Sequence, residues 1–299
     1  MSFDNAAVLN GKFKGERIDW ERLYEFAEKQ GIIGFLFEGV KQLVERFDVK
    51  PPQMMLLQWI SVSEQIKTLN ILACKRTVSI VDVFHKAGFK CCILKGQGNA
   101  LRYPNAYCRT PGDIDVWIDG SREDIENFVW KSYPDAKSCD HHIDYPIFQD
   151  IDVEVHFKPR YLFNPKHDKA FSEFVEENRN AQFEHSVTFL EYGKINIPTD
   201  DFNIVYQAAH MVGHFVEDGI GLRQVTDFFY LLKNRCNSET DFVPLLSKMG
   251  MLTFVRGLMW IGNSVYGLNE EKLIVKADKR AGNLILKDIL DSGNLGKNG

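Results

Sequence analysis

The sequence lacks most of the features that announce a role at first sight. Its six cysteines (Cys74, Cys91, Cys92, Cys108, Cys139 and Cys236) include no C-x-x-C pair and no framework spacing. Ribbon-type zinc sites and a disulfide scaffold are therefore not indicated, and buried free thiols are expected. No apolar run approaches the length that spans a bilayer, and the polar stretch from Met1 to Gly15 has no hydrophobic signal core. A cytoplasmic chain with no membrane partner is the expectation. Basic residues are not in excess: 36 Lys and Arg against 41 Asp and Glu leave a net charge of −5. Bulk nucleic-acid binding, which needs a concentrated positive surface, is not expected. Repeats, low-complexity tracts and a Walker A loop are also missing.

What remains is an ordinary globular composition, 44% hydrophobic and 26% charged over 299 residues, enough for one large domain or two modest ones. Apolar residues recur at helical spacing over 19–47, with Trp20, Leu23 and Phe26 and then Phe35, Leu36, Val40 and Val44, which predicts two short amphipathic helices. Pro51-Pro52 ends that segment, and a long helix free of Pro and Gly is expected from Gln53 to about Lys86, broken at Gly88. Extended runs follow at 89–94, 113–118 and 150–157, with a helix-sized piece from Gln97 to Leu101 or Tyr103, and a fourth extended run at 187–197. Helical patterns return over 201–217, 222–234 and 243–266, and the Gly/Asn-rich end, 293–299, is expected to fray. The pattern is α+β: a helical region (1–88), a small mixed-sheet core (89–199) and a second helical region (200–299).

The most informative stretch is Gly112-Asp113-Ile114-Asp115-Val116-Trp117-Ile118. Alternation along a strand puts both carboxylates on one face, about 6.7 Å apart at Cα, with Ile114, Val116 and Ile118 on the other. Without a cation such a pair repels. The run Ile151-Asp152-Val153-Glu154-Val155-His156-Phe157 repeats the device, with Asp152, Glu154 and His156 sharing a face. Asp-x-Asp by itself also occurs on solvated strand ends. Several acids aimed at one side of neighbouring strands point to metal-dependent phosphate chemistry.

Together, Ile93-Leu94-Lys95-Gly96, Leu101, Tyr103-Pro104, Arg109, Asp113-Ile114-Asp115 and the later Glu154-Val155-His156 resemble the DNA polymerase β-type nucleotidyltransferase superfamily. More narrowly they resemble its bacterial family of uncharacterised nucleotidyltransferases. The resemblance implies transfer of an NMP unit from an NTP such as ATP to a hydroxyl acceptor, with release of pyrophosphate. It implies Mg²⁺ or Mn²⁺ on Asp113, Asp115 and Glu154, with Glu154 holding the acceptor-side metal or taking the hydroxyl proton. Asp152 competes with Glu154 for that place. Gly96 would let the backbone approach the triphosphate at a helix start. Lys95 and Arg109 are candidate phosphate contacts, although Arg109 could instead brace the acidic strand. Members usually carry Gly-Ser or Gly-Gly at the turn; this chain has Gly96-Gln97-Gly98, and Gln97 can still donate hydrogen bonds. The acceptor, whether small molecule, protein or RNA, is left open.

A second cluster lies on the helix after 200. His210, His214 and Asp218 follow at four-residue steps, as do Arg223 and Asp227. That spacing could bind zinc, place substrate contacts in the cleft together with His156, or be no more than satisfied helical histidines and an exposed ion pair. Two alternatives to a transferase follow: a catalytically inert nucleotide-binding relative with a regulatory role, and a metal hydrolase using the His210/His214 helix.

Overall fold

A computed structural model of the chain describes residues 18–236 and 238–293. Helices α1 (Trp20–Lys29), α2 (Ile33–Phe47) and the 34-residue α3 (Gln53–Lys86) precede the sheet. Strand β1 (Cys91–Leu94) leads into the short helix α4 (Gly96–Ala100), and β2 (Ile114–Ile118) into α5 (Arg122–Trp130). Strands β3 (His142–Asp144) and β4 (Val153–His156) complete the sheet. Then come α6 (Pro165–Glu184), a hairpin of β5 (Ser186–Thr188) and β6 (Lys194–Asn196), and helices α7 (Asp200–Glu217), α8 (Leu222–Asn234), α9 (Phe242–Lys248), α10 (Leu252–Ser264) and α11 (Lys279–Ser292). No helix among the described residues is long and apolar enough to cross a membrane.

The α+β expectation holds: one small mixed sheet lies among helices, in the order β1-β2-β4-β3, with β2 and β4 parallel and the outer pairs antiparallel. Two details differ from the sequence reading. The extended run at 187–197 is not one strand but the β5–β6 hairpin, outside the main sheet, turned by Leu190 and Gly193 at φ 49° and 109°. The helical run at 243–266 is two helices, divided at Gly250, whose φ is +68°. The end, 294–299, lies outside the described residues; Gly293 closes α11 with its N–H on Ile289 O.

The sheet register sorts side chains into two environments. Ile93, Ile114, Val116, Ile118, Ile143, Val153 and Val155 form one face, buried against Ile80 and Phe84 of α3 and Ile125 and Val129 of α5. Phe84 is fully buried, and removing a ring of that kind costs roughly 3–5 kcal/mol. The opposite face carries Cys92, Leu94 and Trp117 into a second core, which also joins Tyr24 and Phe37 to Phe228, Met259 and Ile289. The first and last helices are thus in one core, tied further by Gln30, whose Nε2 donates to Ile289 O (2.8 Å) and whose Oε1 accepts from Leu222 N–H (2.9 Å). Helix α3 also fixes the loop before β2: the buried Asn70 Nδ2 donates to Tyr107 O at 3.0 Å and Arg109 O at 2.7 Å.

Candidate active site

Register alone lays out the polar part of the sheet. Leu94, Asp115, Glu154 and Asp144 form one row across β1-β2-β4-β3, and Cys92, Trp117, His156 and His142 form the next. Asp115 and Glu154 are direct neighbours on parallel strands, which lie about 4.7–4.9 Å apart. Asp113 reaches the same side from just before β2, and one carboxylate oxygen from each of Asp113, Asp115 and Glu154 lies within 4.8 Å of the others. Asp152 is exposed and stands apart from this group; its backbone carbonyl accepts from Ile114 N–H.

The turn after β1 aims Lys95 at these acids. Lys95 and Gly96 both have positive φ, 45° and 35°, a conformation that costs of order 1–3 kcal/mol at a non-glycine residue. The Lys95 ammonium lies 2.8 Å from Asp115 Oδ1 and 2.9 Å from His210 Nε2. Burial would lower its pKa, but Asp115, Tyr206, Asp113 and Glu154 outweigh it, so Lys95 is held protonated. His210 must then accept, and burial with Lys95 beside it keeps that ring neutral. His156 does the reverse. Its Nε2 lies 2.9 Å from Asp115 Oδ1 and 3.4 Å from Glu154 Oε2; burial opposes its charge, yet the two carboxylates raise its pKa. Burial would likewise raise Glu154, but His156 and Lys95 bring it to about 2. Asp115 is only 1% exposed, and its Oδ2 has no hydrogen-bond partner among the described residues.

The cleft collects nearly every residue singled out above. Lys95, Gly96, Arg109, Asp113, Asp115, Glu154, His156, His210, Arg223 and Asp227 all line it. Gln97 does not: its amide lies 3.3 Å from Cys74 Sγ and 3.5 Å from Asn70 O, buried against α3. The reason is helical phase. A residue one step past Gly96 turns about 100° away, whereas Asn99, three steps on, returns to the cleft side. The reading of the Gln97 side chain as a triphosphate donor is therefore corrected.

Arg109 has the bracing kind of role, although toward α8 and not the acidic strand. It is 6% exposed and grips Asp227 with Nε on Oδ1 and Nη2 on Oδ2, both at 2.9 Å. Tyr103 adds a 2.6 Å hydrogen bond to Asp227 Oδ1, and Nη1 of Arg109 is spent on Thr110 O. Asp227 thus pairs with Arg109 and not with Arg223, its neighbour at four residues. Arg223 is half-buried, has no carboxylate at ion-pair distance among the described residues, and leaves Nε unpartnered. A Cβ on Gly112 would come within 3.3 Å of Arg223 Nη1, so glycine there leaves the guanidinium its place beside Asp113.

His210, His214 and Asp218 do not converge as a zinc set among the described residues. His210 Nε2 faces the Lys95 ammonium and His214 Nε2 (3.2 Å), so a cation already sits on the lone pair zinc would need. Cleft residues missed from sequence include His141, His142, Gln207 and Arg160. A three-residue β3 is too short to show alternation. Arg160 left one signal, the glycine inside α7: a Cβ on Gly213 would lie 2.5 Å from Arg160 Nη2, which explains a residue about 1 kcal/mol worse than alanine in a helix.

Comparison with known proteins gives three results. The model of a family described as uncharacterised nucleotidyltransferase matches residues 16–267. No curated protein matches. A solved structure of an antigenic nucleotidyltransferase-like protein from Paracoccidioides brasiliensis shares 13% identity, covering 73% of this chain and 96% of its own, with a TM-score of 0.39.

Proposed function

We propose, for a chain that belongs to the uncharacterised nucleotidyltransferase family, the Mg²⁺- or Mn²⁺-dependent transfer of an NMP unit from an NTP to the hydroxyl of a small molecule, a protein or an RNA. The observation that carries the proposal is the meeting of three carboxylates, Asp113 just before β2, Asp115 on β2 and Glu154 on β4, within 4.8 Å of one another, in a cleft that also holds an arginine with no carboxylate at ion-pair distance among the described residues. In the reaction the acceptor hydroxyl gives up its proton to solvent, its oxygen bonds the α-phosphorus, the bond from that phosphorus to the bridging oxygen breaks, and pyrophosphate leaves.

The fit to a hard divalent cation rests on two features. The donors are all carboxylate oxygens, and Asp115 Oδ2 is a buried acceptor with no donor among the described residues, a condition that costs roughly 1–3 kcal/mol. Asp113, Asp115 and Glu154 would hold the ion, which neutralises phosphate charge and acidifies the acceptor hydroxyl. Glu154, at about 2, is too weak a base to match a proton transfer near neutral pH, which favours ligation over general-base work. Lys95 and His156 orient Asp115 through its Oδ1 and leave Oδ2 toward the ion. Arg223 is the phosphate contact, since the charges of Lys95 and Arg109 are already matched by Asp115 and Asp227.

The binding-only alternative draws support from Lys95, whose ammonium occupies Asp115 Oδ1. Two measurements separate the readings. Calorimetric titration of Mn²⁺ with NTP should show binding in the wild type and its loss in Asp115→Asn; equal affinity in both overturns the metal site. Pyrophosphate release with Mg²⁺ across a panel of hydroxyl acceptors then distinguishes turnover from binding.

A further inference from the structure

The hairpin turn beside the third acid holds a separate group of donors. Cys139 N–H donates to His142 O at 2.9 Å, and Ser138 bridges to Ile143, closing a two-residue turn over Asp140 and His141. Closure of that kind sets the side chains of Cys139 and His142 opposite each other on one face. His141 folds in from the turn itself, 7% exposed. Cys139 Sγ lies 3.4 Å from His142 Nδ1 and 3.6 Å from His141 Nδ1, while His142 Nδ1 lies 3.2 Å from His141 Nε2.

We propose that Cys139, His141 and His142 form a second cation site, for a soft divalent metal of the zinc class. Tetrahedral zinc, with Zn–N of about 2.0–2.1 Å and Zn–S of about 2.3 Å, sets donor–donor edges of roughly 3.3–3.6 Å. Two edges of that size are present, His142 Nδ1 to His141 Nε2 at 3.2 Å and His142 Nδ1 to Cys139 Sγ at 3.4 Å, and one donor atom from each of the three residues lies within 4.8 Å of the others. The donor types also separate it from the carboxylate cluster, because thiolate and imidazole select zinc-like ions and carboxylates select magnesium-like ones. Three protein ligands leave one position for water or a ligand in the cleft, which His141 and His142 line. On binding, the Cys139 S–H bond breaks, sulfur bonds the metal and the proton goes to buffer. His142 Nδ1 is also 3.7 Å from Glu154 Oε2, so loading this site withdraws that nitrogen from the third acid.

The competing account is a thiol hydrogen-bonded to two imidazoles, which holds no metal. Cobalt(II) distinguishes them, because a thiolate ligand gives it a charge-transfer band that oxygen and nitrogen ligands do not. Titration of the full chain should develop the band to one ion per chain and lose it on adding Zn²⁺. Cys139→Ser should abolish it and His141→Ala should weaken or abolish it. Cys236→Ser, at the other exposed thiol, and Asp115→Asn should retain it, with circular dichroism confirming that each variant is folded. A wild type without the band, a folded Cys139→Ser protein that keeps it, or its loss in folded Asp115→Asn would each overturn the proposal.

Discussion

Two buried aspartates in one cleft are treated in opposite ways. Asp227 is 5% exposed and both its oxygens are saturated: Arg109 binds each, Tyr103 takes one and Asn99 approaches the other at 3.4 Å. Asp115 is 1% exposed, yet Oδ1 takes both Lys95 and His156 while Oδ2 has no partner among the described residues. A carboxylate whose acceptor capacity is filled by fixed donors is part of the scaffold. One with a free oxygen beside two further acids is arranged for something that arrives. The difference gives Asp227 the work of holding α8 against the loop before β2, and leaves Asp115 with an oxygen to offer the proposed metal.

The largest effect expected from this contrast is on stability. Asp227→Ala leaves the Arg109 guanidinium buried without a counter-charge, and breaking a buried pair from one side costs about 3–5 kcal/mol. Asp115→Ala should cost clearly less. Lys95 is 17% exposed at the cleft, with His210 Nε2 still in place as an acceptor, so its ammonium stays solvated or bonded. Urea unfolding of the two variants reads the difference directly. Equal losses would remove the distinction between scaffold and site.

Much of this site was legible because strands report their faces. Asp113, Asp115, Glu154 and His156 could be put on one side of a sheet by counting in twos, and the register of β2 against β4 brings them together. Likewise α3 and α8 were readable from long apolar periodicity. What stayed hidden depends on contacts between distant segments. The partner of Asp227 is Arg109, more than a hundred residues earlier in the chain, and no local spacing prefers it over Arg223. Helix α6 was overlooked because it buries only Phe171, Val175, Gln182 and Phe183 along a charged surface. Strand β3, with His142, is three residues long and leaves no pattern to count.

A middle-sized effect belongs to Arg223, whose guanidinium has no carboxylate at ion-pair distance among the described residues while Arg109 has one. Hydrogen bonds to charged groups are worth about 1.5–3 kcal/mol, so Arg223→Gln should weaken NTP binding roughly 10- to 100-fold while moving the unfolding midpoint little. The contact is electrostatic, and the wild-type affinity should fall with salt more steeply than that of the variant. Calorimetry at two ionic strengths measures both quantities. An affinity unchanged by the substitution would return the phosphate role to Lys95, at the expense of its pairing with Asp115.

The smallest effect is expected where sequence reasoning had placed a nucleotide contact. Gln97 departs from the Gly-Ser or Gly-Gly of related turns, which could be read as a damaged triphosphate grip. Its amide faces the other way, into α3, with partners at 3.3–3.5 Å that make long, weak hydrogen bonds. Gln97→Ala should therefore cost about 1 kcal/mol of stability, the worth of an ordinary hydrogen bond, and leave NTP affinity within twofold of wild type. The substitution also trims packing next to Asn70, which holds the backbone of Tyr107 and Arg109, so the loss should appear as a lower melting temperature. A variant that kept its melting temperature but lost NTP binding would put Gln97 back in the cleft and require α4 to turn by about a quarter of a helical circuit when nucleotide binds.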